Sequence, residues 1–265
     1  MGDQNYRPRR PRLASETVLT TGLLRTFYWM HVTTPGAHEL AYTQEGGTRV
    51  ILDGLDITSL SSGTPLTGGV VDYVIQLQLH TAPQQPIPDN VELLGATRTN
   101  YIFRFTPTAS TLAAFRSTDP TSVVAVANIP DPIGHWFVFQ LYSDGRVYIF
   151  NSLNSTKQAA EKRLLVVARA IANAFASAYP RWAAAASRLQ PAALHCLQQP
   201  IGMDCGLYAG ANAVSLATTD APATREALPS RETVVLALLD ALRSHERTIN
   251  DPTTVPVALV QFEAK

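Results

Sequence analysis

Cysteine is scarce in this chain: Cys196 and Cys205 are the 2 thiols in 265 residues. That excludes a disulfide-built scaffold and a cysteine-rich metal cluster, and it fits a reducing, intracellular setting, cytoplasm and/or nucleus. An excess of charge of either sign is also missing. Lys+Arg and Asp+Glu both number 21, so the formal net charge is +0 and no global field draws the protein to nucleic acid or to a membrane. Long apolar runs are absent too. No stretch approaches the roughly 18 apolar residues of a membrane span, and no signal-peptide pattern opens the chain, so no membrane partner is expected. Internal repeats and low-complexity linkers, which would indicate a solenoid or a tethered array, are likewise not found.

What is there suits a globular enzyme-sized domain, with 46% hydrophobic residues and enough length to bury a large core. The exception is the opening "MGDQNYRPRRPR", where Arg7, Arg9, Arg10 and Arg12 alternate with prolines. With almost nothing apolar to bury, residues 1–18 read as a disordered basic arm, its functional reading being nuclear import or weak polyanion contact. Residues 19–265 read as a single domain. Val70, Tyr73, Val74 and Leu77 recur at helical spacing. "TNYIFRFTP" (99–107) and "SVVAVANIP" (122–130) read as strands, the second apolar on both faces and therefore interior. "HWFVFQLYSDGRVYIFNSL" predicts a hairpin turning tightly at Asp144-Gly145. A long helix follows over 155–179, with Ser155 or Thr156 as its N-cap and Pro180 as its stop. Further helices are expected over 206–218 and 231–245, making an α+β fold: a central, mostly antiparallel sheet flanked by helices.

The chemistry centres on "QPIGMDCGLY", where Cys205 stands at a loop-to-helix junction. The partial positive charge at the helix start would lower its thiol pKa. A thiol nucleophile also needs a base, a group to orient that base, and donors for the oxyanion. Six histidines are available. Of these, His135 opens the first hairpin strand while Asn151 closes the second, so the hairpin folds the two together. Asp144 cannot orient the base, because it sits at the far turn, about 30 Å away at a strand's rise per residue. His195 lacks such an orienting neighbour. Cys196 lacks the loop-to-helix setting and reads as structural. Trp182 reads as a loop anchor.

These residues resemble a known pattern. His135-Trp136, Asn151-Ser152-Leu153 and Gln199 six positions before Cys205-Gly206 are similar, in order and spacing, to the ubiquitin-like-protein proteases. These are the SUMO-deconjugating cysteine peptidases, related to the adenovirus protease. "ANIPDPIGHW" and "LDITSLSSGTPLTGGVVDY" extend the resemblance over roughly residues 52–215. It implies a papain-like or adenain-like architecture, Cys205 as nucleophile, His135 as base and Asn151 as its orienter. Gln199, with the Cys205 backbone N–H, would make the oxyanion hole. Trp136 would wall a channel for a Gly-Gly tail, Gly206 would relieve crowding at the helix start, and no cofactor is implied. The implied partner is a ubiquitin-like modifier or its conjugates, or a polyprotein substrate. Two departures stand out. Asn151 replaces the family's usual aspartate, although papain-like enzymes work with asparagine. Pro65 replaces the tryptophan that covers the channel opposite Trp136, which weakens the expectation of SUMO-type specificity. The rival readings are a viral or mobile-element maturation protease, a related Cys-His acyltransferase, and a retired protease serving as a binding or structural module.

Overall fold

A computed structural model describes residues 39–43, 49–60, 64–81, 85–105, 107, 112, 119–130, 134–153, 158–200, 202–250 and 259–261. The basic arm over 1–18, and the proposed caps Ser155 and Thr156, lie outside the described residues.

The hairpin organises the molecule. Strands β5 (His135–Tyr142) and β6 (Arg146–Phe150) pair antiparallel, with Leu141 opposite Val147 and Val138 opposite Phe150. The connection runs through Ser143-Asp144-Gly145, one residue longer than the tight turn read from Asp-Gly. Gly145 N–H closes a turn onto Tyr142 O at 2.9 Å, and Gly145 takes φ +95°, as the left-handed residue ending such a loop must. The Asp144 side chain accepts the Arg146 N–H at 3.1 Å. A Cβ on Gly145 would also collide with Arg188 O, so glycine is required twice over.

Strand β4 (Ser122–Ile129) lies antiparallel to β5 on its other side, pairing Ile129 with His135. Its apolar side chains fill both faces, as the sequence indicates: Val124 and Val126 point to one core, Val123, Ala125 and Ala127 to the other. Parallel strands extend this antiparallel centre at each edge, β3 (Val91–Leu94) beside β4 and β7 (Gln190–Leu194) beside β6. The main sheet is therefore mixed, in the order β3-β4-β5-β6-β7. A smaller antiparallel sheet joins β1 (Glu39–Thr43) to β2 (Arg49–Asp53) and β8 (Leu259–Gln261).

The segment 99–107 is not a strand. Residues Ala96–Arg104 form helix α3, preceded in the chain by α1 (Gly54–Ser59) and α2 (Gly68–Thr81). Tyr101, Phe103 and Phe105 alternate like a strand, but all three are exposed, whereas Ala96, Thr99 and Ile102 form the buried stripe at helical spacing. The decisive contact is tertiary. The Asp72 carboxylate, from α2, accepts the N–H groups of Ala96 (2.5 Å) and Thr97 (3.0 Å), capping a helix whose own N-cap, Gly95, has no side chain to do so.

Helix α4 (Gln158–Ala178) covers one sheet face, followed by a short 3₁₀ turn and α5 (Ala183–Ser187). Trp182 anchors that connection, donating from Nε1 to Pro120 O at 2.8 Å. On the other face lie α6 (Cys205–Thr219) and α7 (Arg231–Asn250). Helix α6 approaches α2 closely because Gly206 and Gly210 present no side chain: a Cβ on Gly206 would lie 2.9 Å from Val71 Cγ2, and one on Gly210 2.6 Å from Val74 Cγ1. This packing sets the start of α6 against the His135 end of β5.

Candidate active site

Three loop-to-element junctions meet where β5 begins, β6 ends and α6 begins. Asn151 directly follows β6, and its Oδ1 accepts the Leu153 N–H at 2.9 Å. That bond identifies the oxygen. The same Oδ1 stands 2.8 Å from His135 Nε2, so Nε2 carries the proton and donates. The imidazole lone pair is left on Nδ1, which is buried and has no hydrogen-bond partner among the described residues. The ring is braced by Phe137 in a T-shaped contact, with centroids 4.6 Å apart. A histidine held in one tautomer, with an unoccupied basic nitrogen, is arranged to take a proton.

Cys205 opens α6 against the start of β5. Its Sγ interacts with the backbone N–H groups of Trp136, Gly206 and Cys205 itself, and Trp136 directly follows His135. Those N–H groups favour thiolate, yet the thiol pKa lies above its usual 9.0, because burial outweighs them and the neighbouring Asp204 adds to the rise. The helix-start N–H groups therefore pull the thiol pKa down as their position suggested, but burial outweighs them and the net shift is upward. Burial likewise holds the His135 imidazole below its ordinary 6.5, against the bond from Asn151. The resting pair is thus a neutral thiol and a neutral imidazole.

Gln199 lies on the loop preceding α6 and is fixed through both ends of its amide. Ser152 Oγ donates to Oε1 at 3.0 Å, and Nε2 donates to Gly202 O at 3.0 Å. Its backbone N–H also bonds Ser152 O at 2.9 Å. The amide is therefore oriented with its nitrogen on the loop that leads into Cys205, bonded there to Gly202 O. Ser152 is a residue that sequence reasoning passed over, though it stands inside the Asn-Ser-Leu element. Gln198 is another: its Nε2 holds Asn151 O at 2.9 Å.

Trp136 is buried, and its Nε1 donates to Leu66 O at 2.8 Å, which pins the indole to the loop before α2. It lines a pocket of about 740 Å³ together with Gly68, Phe103 and Arg104, between α3, α4 and the end of β4. Pro65 is exposed and does not line this pocket, so the indole has no second ring opposite it at that position. Gly206 lies inside the α2–α6 interface against Val71 and Leu66, not on the pocket wall. Cys196 is buried, and burial pushes its thiol up to about 11, while His195 is exposed at the end of β7. Among the described residues, no group of three or more His, Cys, Asp or Glu side chains comes together to hold a metal, and no helix is long and apolar enough to cross a membrane.

The fold is that of a papain-like cysteine protease, with the thiol on a central helix and the histidine on the sheet. It is more particularly the fold of the SUMO proteases. A structure of the SUMO protease Ulp1, its catalytic cysteine oxidised to a sulfonic acid, matches 88% of this chain and 98% of its own, with TM-score 0.53 and 15% identity. A de-sumoylating protease matches 79% of this chain and 78% of its own, with TM-score 0.51 and 14% identity. The C-terminal Ulp1 protease domain in complex with Smt3, the yeast ortholog of SUMO, matches 84% of this chain and 96% of its own, with TM-score 0.50 and 14% identity. No family model and no curated protein matches the sequence.

Proposed function

We propose that the protein is a cysteine peptidase of the ubiquitin-like-protein protease type, cutting after the tail of a modifier through an acyl-enzyme thioester. The observation that carries this reading is the pairing of His135 with Asn151, which leaves a buried Nδ1 without a partner, while the backbone N–H of Trp136, the next residue, reaches the helix-start Cys205. In the first step, Sγ attacks the scissile carbonyl carbon while Nδ1 takes the thiol proton. The developing oxyanion is met by the Cys205 backbone N–H and the side-chain amide of Gln199. His135 returns the proton to the leaving amine as the carbon–nitrogen bond breaks. Water, deprotonated by the same Nδ1, then hydrolyses the thioester. No cofactor enters any step. A reducing, intracellular compartment suits the reading, since both Cys196 and Cys205 are free thiols. Complex formation by Ulp1 with Smt3 supports a ubiquitin-like modifier as the acyl donor.

A second reading is favoured by one observation. Pro65 is exposed and, among the described residues, no second indole faces Trp136, a wider surround that suits a linear polyprotein junction better than a Gly-Gly channel. A panel of ubiquitin-like modifiers bearing a C-terminal propargyl amide separates the two. An adduct with one modifier, lost in Cys205→Ala, is the result expected for a deconjugase. Cleavage of a linear polypeptide library without any modifier adduct would move the assignment to polyprotein maturation. Acyl transfer from an acyl-CoA, with no peptide released, would replace both by an acyltransferase. Inertness in all three assays would leave a retired protease fold.

A further inference from the structure

Arg231 is the first residue of α7, a position where the helix dipole disfavours a cation, and yet it is buried, at 8% exposure. A buried guanidinium must find acceptors, and two of those it finds adjoin the cysteine. Nε donates to Asp204 Oδ1 at 2.6 Å and Nη2 to Met203 O at 2.9 Å, both in the turn immediately before Cys205. Nη1 donates to Ser59 O and Nη2 to Thr64 O, each at 2.7 Å, so the same side chain holds the segment leading to Leu66 and its partner Trp136.

A second observation concerns Asp204 itself. It is the N-cap residue of α6, where an aspartate ordinarily folds back and accepts the N–H groups of the first turn. Here it makes no side-chain cap bond. Its carboxylate is turned to Arg231 instead, so the N–H groups of Cys205 and Gly206, which reach Sγ, carry no side-chain cap, while Leu207 N–H bonds Asp204 O at 2.9 Å. A carboxylate folded onto those groups would occupy the anion-binding end of the helix, where thiolate charge and a substrate oxyanion must be accommodated.

We propose that Arg231 is a positioning residue for the Cys205 site: it draws the Asp204 carboxylate off the start of α6 and so keeps the helix N–H groups free for negative charge on sulfur and on the substrate oxyanion. The oxyanion part rests on the peptidase reading; the sulfur part does not. Among the described residues, the titratable and charged groups around this corner include Asp204 on the turn, Tyr208 on α6, His135 on β5, Asp56 on α1, Arg225 on the 3₁₀ turn after α6, and Arg231. Asp56 is engaged by Thr67, and Arg225 lies near enough to act on Tyr208, as Asp204 does. That leaves Arg231 as the cation paired with the carboxylate closest in sequence to the thiol.

The test reads the pH midpoint of Cys205 alkylation by iodoacetamide, quantified on the Cys205 peptide so that Cys196 does not contribute, with thermal unfolding followed in parallel. In Arg231→Gln, Asp204 is released onto the helix start, and the midpoint is expected to rise by about half to one pH unit, slowing alkylation roughly three- to tenfold at a fixed pH below it. Arg231→Gln with Asp204→Ala is expected to restore the midpoint without restoring the unfolding temperature. A purely structural arginine would shift unfolding and leave the midpoint alone, which would overturn the proposal. So would a raised midpoint that Asp204→Ala fails to restore. Should Arg231→Gln not fold, Asp204→Ala alone decides: with the carboxylate already held off the helix start, the midpoint is expected to stay within about 0.3 pH units of wild type, and a fall of a full unit would show that Asp204 acts on the thiol despite Arg231 and would overturn the proposal. A wild type inert toward every substrate, with these midpoint shifts intact, would refute the peptidase reading alone.

Discussion

Replacing Gly206 by alanine probes how packing behind the site supports the site. The new Cβ would lie 2.9 Å from Val71 Cγ2, 3.0 Å from Leu66 Cβ and 3.1 Å from Leu66 Cδ1, all inside ordinary van der Waals contact. Relief requires α6 to move away from α2, or Leu66 to yield. Overpacking of this kind costs about 1–3 kcal/mol, while glycine to alanine in a helix returns up to about 1 kcal/mol, less near a helix end. The net expectation is a loss of about 1–2 kcal/mol, read as a lower urea midpoint by circular dichroism at unchanged slope. The effect should also reach the site, because Leu66 supplies the carbonyl that holds Trp136 Nε1. Trp136 fluorescence should change in the folded variant, measured against Trp182 and the remaining tryptophan as constant background. Val71→Ala removes the nearest obstacle, so the double variant should be more stable than the sum of the two single losses implies. Stabilisation by Gly206→Ala alone would refute the close-approach argument.

Other consequences follow from the dyad and its supports. Because the folded protein holds His135 below its ordinary 6.5, the unfolded chain binds more protons between those two values, and stability rises with pH there. Unfolding free energy should therefore fall as pH drops through 6.5, and His135→Gln should reduce that slope; an unaltered slope would exclude His135 as its source. Ser152→Ala leaves Gln199 Oε1 without its buried donor and frees the amide to turn. It should lower the acylation rate about tenfold, with little change in substrate KM, in a single-turnover assay on whichever substrate the panel identifies.

Much of this was legible in the sequence wherever a local pattern and its tertiary setting agree. The β5–β6 hairpin, the two-faced β4 and the Cys205 helix each have periodicity and boundaries that point one way, and the hairpin by itself brings His135 to Asn151. Legibility failed where a distant side chain decides. The aromatic alternation of Tyr101, Phe103 and Phe105 resembles a strand until Asp72, in another helix, caps Ala96 and Thr97. Strand β7, "QPAAL", is short, exposed and begins beside a proline, so only its parallel pairing with β6 reveals it. The thiol of Cys205 was misjudged for a related reason: the helix start is visible in the sequence, whereas the burial that outweighs it is not. Arg231 carries no local signal at all, since its acceptors lie at Ser59, Thr64, Met203 and Asp204.

The central claim is that Cys205 is a nucleophile served by His135, and the comparison of wild type with His135→Ala tests it most directly. Since burial keeps the thiol protonated at neutral pH, alkylation of Cys205 by a small chloroacetamide should depend on Nδ1 to remove the proton. At pH 7.5, wild-type Cys205 should react about 100-fold faster than Cys205 in His135→Ala, within the usual range for a positioned base. Cys196 should stay slow in both. Equal rates at Cys205 in the two proteins would contradict the account.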